Sequence, residues 1–206
     1  YLKSRGVDRL DKLVLTHTDT DHMGDMLELA KHFSIREIYV SKGSMTQADF
    51  VDKLKKMKAK VHVVEVGDRL PIFDSALEVL YPLTQGDGGN DDSIVLYGEF
   101  FRTKFLFTGD LEAPGEGKVV TAYPDLRVDV LKAGHHGSKG SSSPEFLEHI
   151  KPKLALISAG KNNRYQHPHQ ETLERFEKIQ TKILRTDEQG AIRFKGWNSW
   201  KIETVR

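Results

Sequence analysis

A layered α/β protein built on a largely mixed sheet is the fold class this sequence predicts, and three observations carry the prediction. Short apolar runs alternate with helical patterns towards both ends of the chain. The stretch from 61 to 109 is nearly all strand and turn, with GDGGN as its clearest break. The polar residues capable of chemistry stand where strands end. Strands in a row, flanked by strand–helix alternation, belong to layered α/β architectures. In such folds the loops at strand ends converge on one site.

In chain order the strand candidates are KLVLT, REIYV, VHVVEV, LEVLY, SIVLYGEF, KFLFTG, VDVLKAG, LALISAG, KILRT and AIRFKG. Helical patterns follow several of them: DMLELAKHF, TQADFVDKLKKMKA, SPEFLEHI and QETLERFEKI. In the second, Phe50, Leu54 and Met57 fall on one face, and the lysines of KLKKMKAK form its solvated side. The third has Ser143 as its N-cap and Pro144 at its first position, where a missing N–H is harmless. LEAPGEGKVV reads as partly helical.

Composition narrows the function classes. A chain of 206 residues with 38% hydrophobic residues builds one ordinary core, or at most two small ones. A net charge of +1 neither demands nor excludes nucleic acid, so a polyanion site must be a local patch. There are no cysteines, which removes disulfide partners and thiolate metal sites together. Any metal is therefore held by His and carboxylate groups. No apolar stretch approaches the roughly 18 residues that cross a bilayer. The first residue is Tyr1 rather than Met, and the chain is expected to be a piece of something longer.

Four elements collect candidate site residues. The first is HTDTDH, with His17, Asp19, Asp21 and His22 in six positions behind a strand. His17 and Asp19, two apart, point the same way in an extended segment. Asp21 alone would serve as a helix cap and His17 alone as a structural histidine; four such groups together favour a metal site. The second is FTGDLE, where Asp110 is either a cap or a carboxylate able to bridge two ions. The third is KAGHHGSKGSSSP, whose adjacent His135 and His136 close a buried strand. The fourth is KNNRYQHPHQ, with Arg164, Tyr165, His167 and His169, where a part in substrate binding competes with helix initiation by His169. His32, His62 and His149 lack polar company in the sequence and read as structural.

HTDTDHMGD, FTGD, KAGHHGSKGSSSPEFL and ISAGKNNRYQHP, in this order, resemble the metallo-β-lactamase superfamily. More narrowly, they are similar to the soluble nuclease-like domain of the ComEC family of DNA-internalisation proteins. The resemblance implies an αββα sandwich with mixed sheets over residues 1–206, lacking the family's N-terminal strands. It implies divalent metal ions, two of them, held by His17, Asp19, Asp21, His22, Asp110 and His136. Catalysis would rest on Asp21, His135 and His136. The chain departs from the superfamily by carrying Asp19 where a second histidine is usual, and by having no histidine between His62 and His135. Asn90, Asp91 and Ser93 stand in the region of that missing middle ligand. Both changes run from imidazole to oxygen, which brings manganese into competition with zinc.

The function so implied is a metal-dependent phosphodiesterase acting on DNA, most naturally single-stranded, during uptake of transforming DNA. Lys132, Lys139, Lys161, Arg164 and His167 are the expected substrate contacts, a phosphate track that carries affinity without sequence preference. The resemblance further implies a bacterial membrane location, with a membrane channel portion of the parent protein as partner. Alternatives are another hydrolase on the same fold, of lactonase or thioesterase type, and a non-catalytic DNA-binding module.

Overall fold

The computed structural model describes residues 1–196 and 200–205; residues 197–199 and 206 of the expected domain lie outside the described residues. Two sheets face each other, with helices on both outer sides. The smaller sheet has the order β1 (Arg9–Leu15), β2 (Ser34–Ser41), β3 (Lys60–Val64), all parallel. Parallel neighbours need crossovers, and helices supply them: α1 (Thr20–Met23) and α2 (Met26–His32) after β1, α3 (Ala48–Lys56) after β2.

The larger sheet has seven strands. β4 (Arg69–Ile72), β5 (Ser75–Tyr81), β6 (Val95–Phe100) and β7 (Thr103–Phe107) form its antiparallel half. β8 (Val130–Lys132), β9 (Leu154–Ile157) and β10 (Lys182–Arg185) continue it in parallel. α4 (Ala113–Ala122), α5 (Pro144–Ile150) and α6 (Gln170–Lys178) connect the later strands, and α7 (Thr186–Gln189) leads into a hairpin of β11 (Ala191–Lys195) and β12 (Lys201–Val205).

Three packed layers of side chains make this an αββα sandwich. Alternation along β2 sends Ile38 and Val40 outward to meet Phe50, Leu54 and Met26 from α3 and α2. Tyr39, from the same strand, points inward and packs with Val79, Ile94 and Leu96 of the large sheet. On the other outer face, Leu106, Leu131 and Ile157 receive Val119, Phe146, Leu147 and Phe176 from α4, α5 and α6. Phe50 is fully buried, worth about 1.5–3 kcal/mol at ordinary transfer coefficients. A further cluster joins Phe105, Val130 and Leu154 to Phe194 and Trp200, so the C-terminal hairpin covers the inner face of the large sheet there.

Helix signals read from sequence hold where they rest on chemistry. Ser143 caps α5 by accepting from the Phe146 N–H, and Pro144 opens that helix. Phe50, Leu54 and Met57 are buried as the α3 pattern requires. β4 and β12 carry no strong strand signal. Pro71 interrupts β4, and its missing N–H is tolerated because β4 is the sheet edge. β12 is a mostly exposed strand, paired to β11 alone.

Candidate metal centre

The loop after β1 is clamped from below by the GDGG turn. Thr18 donates to the Gly88 carbonyl through both its backbone N–H (2.8 Å) and its hydroxyl (2.9 Å). Gly88 has φ +90°, and a Cβ there would lie 3.1 Å from the Ser44 backbone and 3.2 Å from Thr18, so glycine permits the approach. α1 then begins with Asp19, not Asp21, at the N-cap position, and the Asp19 side chain makes no capping hydrogen bond. Neither aspartate is engaged as a cap. Asp110 is not one either, since Glu112 holds the N-cap position of α4.

Four groups from three loops meet. One ligand-capable atom each from Asp21, His22, Asp110 and His136 lies within 4.8 Å of all the others. His22 Nε2 is 3.1 Å from Asp110 Oδ1 and 3.3 Å from His136 Nε2. His136 Nε2 is 3.4 Å from Asp21 Oδ2. Asp110 is 2% exposed, and its Oδ1, close to the His22 nitrogen, has no partner of hydrogen-bond geometry. His17 is fully buried beside this group, its ring centroid 4.1 Å from that of His22, and its Nε2 is also without a partner. Buried polar atoms are ordinarily satisfied. Imidazole nitrogens and carboxylate oxygens left open at one point are a donor set that fits a divalent cation. Asp19 is exposed and stands outside the convergent four.

The HHG element is strained to reach this point. His135 and His136 have φ of +43° and +53°, followed by Gly137 at +83°. Left-handed backbone at two successive non-glycine residues costs on the order of 1–3 kcal/mol each. It turns the two rings apart, with centroids separated by 6.4 Å. The Nδ1 of His136 lies 2.7 Å from the Ser158 carbonyl, which leaves Nε2 to face the cluster. The Nδ1 of His135 lies 2.9 Å from Glu112 Oε1, and its Nε2 is 3.8 Å from Asp110 Oδ2.

Charge follows geometry. Burial pushes the Asp110 carboxyl up, but the His22 contact and the charges of His22, His136 and His17 hold it down at about 2. Burial, with the His22 charge, lowers His17 to about 4, so that ring is neutral at pH 7. A carboxylate held ionised beside a neutral imidazole is the state in which both ligate metals.

Residues 1–161 match the Metallo-beta-lactamase superfamily. The chain belongs to the metallo-β-lactamase superfamily. Among curated relatives, it is 39% identical to ComE operon protein 3 of Bacillus subtilis (strain 168), over 95% of this chain and 26% of that protein. It is 35% identical to Competence protein ComA of Neisseria gonorrhoeae, over 94% and 26%. It is 28% identical to Recombination protein 2 of Haemophilus influenzae, over 94% and 23%. The chain thus spans about a quarter of the length of the relatives it matches. Two solved structures share the fold. The CmlA β-hydroxylase E377D mutant superimposes with a TM-score of 0.58 at 13% identity, over 86% of this chain and 43% of that one. The metallo-β-lactamase fold protein YhfI from Bacillus subtilis does so with 0.54 at 12%, over 85% and 74%.

Of Asn90, Asp91 and Ser93, the serine is the one that touches the convergent residues. Ser93 is fully buried; its Oγ accepts from the Asp110 N–H at 3.0 Å and lies 3.3 Å from His17 Nδ1. Asp92 turns away, accepting from Ser41 Oγ (2.7 Å) and Gly86 N (2.9 Å). Asp91 faces α4, where a Cβ on Gly115 would come within 3.3 Å of its Oδ1. Asn90 has a buried Oδ1 without a partner. Sequence reasoning named Ser93 beside Asn90 and Asp91 without its contacts, because nothing local distinguishes a serine that reaches across the fold from one that caps a turn.

The expected substrate contacts separate. Lys139, Lys161 and Arg164 are exposed. Lys132 is not a surface cation: its Nζ donates to the Ala133 carbonyl at 2.8 Å, and burial lowers its pKa against the opposing charge of Asp110. Its place at the end of β8 put it near the motifs in sequence, but it is a partly buried group behind Asp110. His167 stands 5.5 Å from His135 and 6.4 Å from His136 between ring centroids. Burial, then neighbouring His169, His135 and His136, lowers its pKa. His169 occupies the N-cap position of α6 and accepts from the Lys139 N–H at 3.0 Å. Glu112 and Ser158, which orient the two histidines of HHG, were not singled out from the sequence.

Proposed function

We propose that this chain is a divalent-metal-dependent phosphodiesterase acting on DNA, serving the uptake of transforming DNA as the hydrolytic segment of a longer membrane protein. The observation that carries the reading is the convergence of Asp21, His22, Asp110 and His136. Asp21, His22, Asp110 and His136 would hold the ion, with His17 and Asp19 completing a second position beside it. When bound, such ions supply a water whose pKa falls from 15.7 to roughly 7 and neutralise charge on the phosphoryl oxygens.

The chain's own residues do the rest. His136 is fixed by the Ser158 carbonyl with Nε2 towards the ligand cluster. His135, held through Nδ1 by Glu112, presents Nε2 beside the centre, where it can give a proton to the leaving oxygen. Lys139, Lys161 and Arg164, all exposed, would contact the strand's phosphates, which steers without reading sequence. The names of two relatives speak of competence and of recombination, which supports DNA as the substrate. No helix among the described residues is long and apolar enough to cross a membrane, so in this reading the membrane portion lies elsewhere in the longer protein.

The test is hydrolysis of single-stranded DNA by the purified chain with each divalent metal in turn. Asp21→Ala is expected to lose bound metal and hydrolysis together while remaining folded. Undiminished metal content and turnover in that variant would remove the assignment.

A further inference from the structure

Beside the metal centre lies a cleft of about 220 Å³ with walls mainly of carbon. It shares Asp21 and His136 with the centre and runs outward along Ala159, Gly160, Tyr165 and His167. At about 30 Å³ per water, that is room for roughly seven waters, the scale of one heteroaromatic ring system rather than a base pair.

The outer wall is a graded row of planar groups. The Arg164 guanidinium lies 4.6 Å from the Tyr165 ring centroid and donates to the Tyr165 hydroxyl. Tyr165 is inclined 24° to His167 at 5.8 Å, and His167 is inclined 17° to His136 at 6.4 Å. Tyr165 is 54% exposed, a large aromatic ring left in solvent at the mouth of the cleft. Its loop is tied together by one side chain. Asn163 donates through Nδ2 to the carbonyls of Gly160 (2.9 Å) and His167 (2.6 Å), and accepts from the His167 N–H (3.0 Å). Both donors of that amide are spent on holding the loop, so it has no N–H left to give a base edge. Gly160 adds no side chain to the rim, and a Cβ there would meet only Asn163 at 3.8 Å.

We infer that this cleft is a nucleobase subsite, in which one unpaired base next to the scissile phosphate packs against Tyr165 and His167 while Arg164 and Lys161 meet the adjoining phosphates. The inference rests on the DNA reading above and adds to it a reason for single strands: a paired base must first be unpaired and unstacked to enter, at a cost of about a few kcal/mol. Aromatic platforms beside cationic groups are how proteins hold single strands without sequence preference.

The experiment separates binding from turnover. Affinity of the chain is measured in EDTA by fluorescence anisotropy for a labelled single-stranded oligothymidylate and for a strand of equal length made of abasic nucleotides. Wild type should bind the base-bearing strand roughly tenfold more tightly, the scale of one stacked base. Tyr165→Leu should lose that margin on the base-bearing strand and show no change on the abasic one, whereas Tyr165→Phe should retain it. Unchanged melting temperatures for both variants, expected at an exposed position, exclude a folding effect. Equal wild-type affinity for the two strands, or full affinity in Tyr165→Leu, overturns the subsite. Turnover with Mn²⁺ is read separately. Tyr165-dependent binding without cleavage leaves the subsite standing and removes the phosphodiesterase; cleavage with no dependence on Tyr165 removes the subsite alone.

Discussion

Replacing Ser93 with alanine removes a single oxygen, and the structure states what that oxygen holds. It accepts from the Asp110 N–H at 3.0 Å and approaches His17 Nδ1 at 3.3 Å, in a site with no solvent access. His17 Nδ1 keeps its second contact, Thr16 Oγ1 at 3.0 Å, so the loss falls mainly on Asp110. An orphaned buried donor costs about 1–3 kcal/mol. A chain of this size shifts its melting point by roughly 2–4 °C per kcal/mol, so metal-free Ser93→Ala should melt about 2–12 °C below wild type in calorimetry. Asp110 would also lose the bond that fixes its backbone, and such supporting contacts are typically worth about 10–100-fold in metal affinity. Competition with a chromophoric chelator measures that directly. Ser4→Ala, which removes an exposed hydroxyl bonded only to the Tyr1 carbonyl, is the control and should fall within about 0.5 kcal/mol. Wild-type melting and wild-type metal affinity in Ser93→Ala would refute the claim that this serine supports the centre.

Glu116 is 1% exposed and accepts from the N–H groups of Ser142 and Ser143 (2.8 Å to the latter), so Glu116→Gln turns an amide donor on a backbone donor. It should lower the melting point by about 2–12 °C, on the same 1–3 kcal/mol scale. Replacing Lys161 and Arg164 together with alanine should flatten the log–log salt dependence of single-strand binding by about 1.4, at roughly 0.7 per contact, with bound metal intact. An unchanged slope would place the strand elsewhere, such as along the lysines of α3. Oxygen supplies half of the four convergent ligand atoms, so turnover with Mn²⁺ should exceed turnover with Zn²⁺ at equal occupancy, and a metal titration in steady state checks it.

Much of this architecture is legible because its signals are local. Alternation in REIYV separates Ile38 and Val40 from Tyr39, and the i, i+4, i+7 spacing of Phe50, Leu54 and Met57 buries one face of α3. What was not legible depends on distant pairing. RLPI becomes a strand because β5 lies beside it, and the weak pattern of β12 is stabilised by β11. The site divides in the same way. HTDTDH and HHG announce themselves by density of ligand-capable groups, whereas Ser93, Glu112 and Ser158 are ordinary residues that reach those groups only across the fold. Lys132 shows the converse, a residue adjacent to the motifs in sequence whose ammonium the structure directs inward.

Calorimetric titration of Mn²⁺ into the metal-free chain, wild type beside Asp110→Asn, tests the central claim most directly. Asp110 is the one convergent carboxylate that is almost fully buried, and its carboxyl, pushed up by burial, is held down at about 2 chiefly by the neighbouring His22. The substitution keeps shape and removes charge. Wild type should bind the ion stoichiometrically, and Asp110→Asn should bind it at least about 100-fold more weakly, the upper end of what loss of a supporting contact alone would produce. Equal affinity in the two proteins would contradict the assignment of Asp21, His22, Asp110 and His136 as a metal centre.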